Sequence, residues 1–140
     1  MATDTKLIVK ELYEILEANE NLDKVSLGAL EPVESEMADR AIYIAVESIA
    51  MESERLNTGS SGYDRRMLVT LYCNYKEAPE DPLGVYAFTD NVERCVLEDN
   101  TIWTVIVDRN IVGVTYDNQQ FAPRRTITML FEIAYRLTCD

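Results

Sequence analysis

The segment from Thr126 to Cys139 constrains the fold more than any other stretch of the chain. Its odd positions Ile127, Met129, Phe131, Ile133, Tyr135 and Leu137 are all large and apolar. The even positions include Thr126, Thr128, Glu132, Arg136 and Thr138, with Leu130 and Ala134 as apolar exceptions. Successive side chains of a strand point to opposite faces, so this alternation predicts a long strand with one face on a core and the other largely wet. Such a strand ties the C-terminal segment into the domain.

The remaining elements follow from the same kind of reading. Ile8, Leu12, Ile15 and Leu16 recur at helical spacing, widened by Leu7, and predict an amphipathic helix over Asp4 to Asn19. Asp4 or Thr5 would cap its start, and Asn19-Glu20-Asn21 would end it. Val25-Ser26-Leu27 reads as a short strand, and the acidic stretch from Pro32 to Glu36 as a loop. Ala41 to Met51 reads as a strand with Ile42, Ile44 and Val46 on one face and Tyr43, Ala45 and Ile49 on the other. Met67 to Lys76 is a second long strand, and the polar segment Glu52 to Arg66 between them, with Gly59-Ser60-Ser61-Gly62 near its centre, is too long for a tight hairpin.

Asp81-Pro82 suits a helix start, followed by the stripe Val85, Phe88, Val92, Cys95 and Val96. Ile102 to Val107 and Ile111 to Tyr116 then read as a hairpin turning at Asp108-Arg109-Asn110. Gln119 to Arg125 is a polar connection containing Pro123. The expectation is one α+β domain over residues 1–140, a mixed or antiparallel sheet flanked by two helices in the order α-β-β-β-α-β-β-β. A chain of 140 residues with 47% apolar content can bury a core of its own.

The composition narrows the chemistry. There is no histidine, which removes Ser-His-Asp and Cys-His nucleophile systems and His-ligated zinc. No Gly-rich phosphate loop occurs, because Gly59 to Gly62 lacks the following Lys-Ser/Thr. Glu31, Glu34 and Glu36, the pair Glu52 and Glu54, and Glu77, Glu80 and Asp81 match no ligand loop and read as solvated acids. Cys73, Cys95 and Cys139 are too far apart for a Cys-x-x-Cys site, and an odd count gives no disulfide framework. The first two sit among apolar neighbours and read as small buried hydrophobes. No signal peptide and no apolar run of about 18 residues is visible, so the expectation is a soluble protein made inside the cell, with no membrane partner. The 25 acids against 13 bases give a net charge of −12, which opposes an electrostatic grip on nucleic acid.

Arginines come in pairs, Arg65-Arg66 closing the long loop and Arg124-Arg125 opening the last strand. Were those strands neighbours, four guanidinium groups could gather at one end of a sheet. They would then offer planar pairing to a neighbouring subunit's carboxylates, or else make ordinary surface pairs within the chain.

The order of elements completes the reading. It comprises an N-terminal helix, two long strands around an extended loop and a helix at Asp81-Pro82. Then come Trp103-Thr104-Val105-Ile106-Val107 with Ile111-Val112-Gly113-Val114, and the closing Arg125-Thr126-Ile127-Thr128-Met129-Leu130-Phe131-Glu132-Ile133-Ala134-Tyr135. Together these resemble the tail-terminator (tail-completion) proteins of long-tailed bacteriophages, over nearly the whole chain. The resemblance implies a non-enzymatic virion protein without cofactor or metal, assembled in the host cytoplasm and located at the head-proximal end of the tail. It implies a ring, hexameric in that family, which stops growth of the tail tube and joins it to the head connector. DNA would pass through without specific binding. Arg55, Tyr63, Arg65, Arg66, Arg124 and Arg125 are the expected subunit-interface residues. Other classes stay open on the residues alone: a neck, head-closure or baseplate adaptor, a small-ligand-binding module, or a small carboxylate-dependent enzyme.

Overall fold

The computed structural model describes residues 5–27, 39–51, 62–98, 106–117 and 124–138. In chain order the elements are α1 (Thr5–Glu17), β1 (Lys24–Leu27), β2 (Arg40–Met51), β3 (Gly62–Lys76), α2 (Gly84–Glu98), β4 (Ile106–Asp117) and β5 (Arg124–Thr138). The strands form one mixed sheet in the spatial order β1-β2-β3-β5-β4, with β1 parallel to β2 and every other pair antiparallel. The α+β class with two flanking helices is as the sequence led us to expect.

The pairing of β3 with β5 organises the rest. The two strands match from Gly62 opposite Thr138 to Lys76 opposite Arg124 with no slip in register. Because the side-chain period is two, this register puts Met67, Val69, Leu71 and Cys73 on the same face as Ile127, Met129, Phe131, Ile133 and Tyr135. All nine are buried, and Ile42 and Ile44 of β2 extend the row. Both helices cover this face. Ile8, Leu12, Ile15 and Leu16 of α1 and Val85, Phe88, Val92 and Val96 of α2 pack into the same cluster. Burying each such side chain contributes roughly 1.5–3 kcal/mol before chain entropy is charged against it. The opposite face is more polar, with Thr70, Asn74, Tyr43 and Ala134 buried among half-exposed neighbours and the Tyr43 and Tyr72 rings 6.0 Å apart.

Local hydrogen bonds fix the ends. The Thr5 hydroxyl lies 2.8 Å from that of Tyr135, linking the start of α1 to β5. Asn19 closes α1 by accepting the Asn21 amide at its side-chain oxygen, 2.9 Å away. Asp23 and Arg40 hold the start of β1 against β2 through both backbone and side chains, the Asp23 amide donating to the Arg40 carbonyl at 2.7 Å.

Four sequence-level expectations are corrected. Asp108-Arg109-Asn110 is not a hairpin turn. These residues lie inside β4, which absorbs two register irregularities, between Ile106 and Asp108 and between Ile111 and Gly113. Bulges let one strand run on where a turn was read. The C-terminal end of the expected 52–66 loop, from Gly62, belongs to β3, because β5 is long enough to pair with it. Helix α2 begins at Gly84 and not at Asp81-Pro82. The Asp81 amide donates to the Ala78 carbonyl at 3.0 Å, holding that dipeptide in a turn. A bulge at Glu47 also moves Ile49 to the helix-covered face, opposite Met67. The acidic stretch Pro32 to Glu36, residues 52–61 of the long polar segment, the start of the strand read from Ile102 and Gln119 to Pro123 of the last connection lie outside the described residues, while Arg124 and Arg125 belong to β5.

At Gly84 the start of α2 lies close against Tyr75 of β3. An added Cβ would land on the Tyr75 hydroxyl and within 2.9 Å of Asp81 Oδ2. Tyr75 cannot simply swing aside, since its ring centroid is 5.1 Å from that of Phe88. Gly84→Ala is therefore expected to cost about 1–2 kcal/mol in urea unfolding, and less in a Tyr75→Phe background, which lacks the obstructing oxygen. Phe131 is fully buried at the centre of the sheet. Phe131→Asp should cost more than about 4 kcal/mol and yield a chain without a cooperative thermal transition.

Candidate functional site

The register that builds the core also decides the fate of the paired arginines. β3 and β5 are neighbours, but they run antiparallel. Arg65 lies opposite Tyr135, whereas Arg125 lies opposite Tyr75, ten residues further along β3. At about 3.3 Å per residue the two arginine pairs stand ~33 Å apart, at opposite ends of the sheet. The expected gathering of four guanidinium groups does not occur.

Each arginine then has its own surroundings. Arg66 points to the face away from the helices and is ion-paired with Glu132 on β5. Arg125 addresses Glu77 with two donors, Nε at 3.3 Å and Nη2 at 3.4 Å, each to a different carboxylate oxygen. That fork is the geometry guanidinium and carboxylate groups prefer. For Arg66 and Arg125 the pairing within the chain is thus the one realised. Arg65 continues the row of Met67 and Val69, is half-buried, and forms no ion pair among the described residues. Tyr63 and Arg124 have backbone positions opposite Leu137 and Lys76. Their side chains, and all of Arg55, are outside the described residues. A further pair escaped the sequence reading: Arg136 Nε donates to Asp64 Oδ1 at 3.2 Å. It joins residues directly opposite each other on β3 and β5, which only the register could reveal.

Other chemistry finds little purchase. Among the described residues no three His, Cys, Asp or Glu side chains are placed to share a metal ion. Glu77 is taken by Arg125, and Glu80 and Asp81 are exposed in the turn before α2. Cys73 is buried at the sheet centre, and burial pushes its thiol up to about 12, so it is no nucleophile near neutral pH. Cys95 is half-buried and its thiol donates to the Ile15 carbonyl at 3.5 Å. It borders an open groove of about 300 Å³ between α1 and α2, lined by Ile15, Ala18, Asn19, Asn91 and Arg94. There the Asn19 amide donates to the Asn91 side-chain oxygen at 2.8 Å, so the helices are tied to each other across the groove. Among the described residues no helix is long and apolar enough to cross a membrane.

No protein-family model matches the chain. No curated protein matches it either. Among solved structures, a chain from the "Virion of native gene transfer agent (GTA) particle" is similar over 89% of this chain and 91% of its own length. The TM-score is 0.53 at 14% sequence identity. The two chains share a fold. The likeness spans most of each chain and is not confined to one motif.

Two outcomes test the site as described. Arg125→Glu, which sets two carboxylates against each other, should lower stability by about 1 kcal/mol, while Arg65→Glu should stay within about 0.5 kcal/mol. Thermal unfolding of the two single variants separates them. Because Cys73 titrates near 12 when folded and near 9.0 in its ordinary range, the unfolded chain loses this proton first as pH rises. Its contribution is fully present below pH 9 and is lost between pH 9 and 12. Cys73→Ala should therefore flatten the alkaline decline of the urea midpoint relative to wild type.

Proposed function

We propose that this chain is a structural virion protein that terminates a phage tail. Its copies close into a ring, hexameric as in the family it resembles, on the last ring of tail-tube subunits. The ring stops tube growth and presents the surface that receives the head connector. It acts by assembly and carries out no covalent chemistry, and it resides at the head-proximal end of the tail.

The observation that carries this reading is the shared fold with a virion chain, which extends over nearly the full length of both. The element order that resembles tail terminators supports the finer assignment. The acidic balance fits a ring through which DNA travels, since like charge keeps phosphate from adhering to the wall. Arg65 offers a guanidinium with no ion-pair partner among the described residues, which is what a subunit contact requires.

Electron microscopy of tails assembled with and without the protein tests the assignment. With it, tails should have uniform length and extra density at one end; without it, they should overgrow. Uniform tails in its absence that merely fail to join heads would assign it to the neck and remove the terminating role.

A further inference from the structure

We draw no further inference here: the strongest candidate, the surface patch of Leu83 and Tyr86 at the start of α2, where the Tyr86 ring lies 5.4 Å from that of Tyr116 on β4, carries none because nothing in the structure shows what covers it.

Discussion

The unslipped antiparallel pairing of β3 with β5 is the constraint on which the rest of the molecule depends. One register sets which side chains face the helices, and a shift of β3 by a single residue against β5 would turn Val69 outward and bring Thr70 inward beside Phe131. The apolar rows of both strands agree on the same register, and that mutual consistency is what selects it over its neighbours. The helices contribute only a stripe each. Neither would be stable alone at 13 and 15 residues, so their helicity comes from docking on this surface.

The same pairing explains how charge is managed. With 25 acids in 140 residues the folded chain must accommodate considerable self-repulsion. Three of its arginines answer this locally, each neutralising one carboxylate: Arg66 with Glu132, Arg125 with Glu77 and Arg136 with Asp64. All three pairs are partly exposed and each contributes at most about 1 kcal/mol. Their value is in holding edges and ends in place more than in summed energy.

Much of this architecture was legible in the residues. β5, α1 and β2 follow from periodicity, because one face of each is almost purely apolar, and period is the strongest local signal a chain carries. Where the reading failed, the deciding interaction was nonlocal. Asp108-Arg109-Asn110 has turn composition, yet β5 alongside holds it extended. Asp81-Pro82 has the composition of a helix start, yet a bond to Ala78 delays the helix. Ile49 changed faces because of a bulge that no residue type announces. The arginine clusters were visible, but their separation was not: strand neighbours can be parallel or antiparallel, and the two choices place a residue at opposite ends.

The position of β5 also has a consequence for how the molecule is made. β4 precedes β5 in sequence, yet it joins the sheet only through β5, which lies between it and β3. Until β5 inserts, β4 has no partner and one long flank of β3 stays open to solvent. Sheet closure during synthesis therefore waits for a segment that leaves the ribosome after all the others described here, and a nascent chain is most vulnerable to association with foreign strands during that interval.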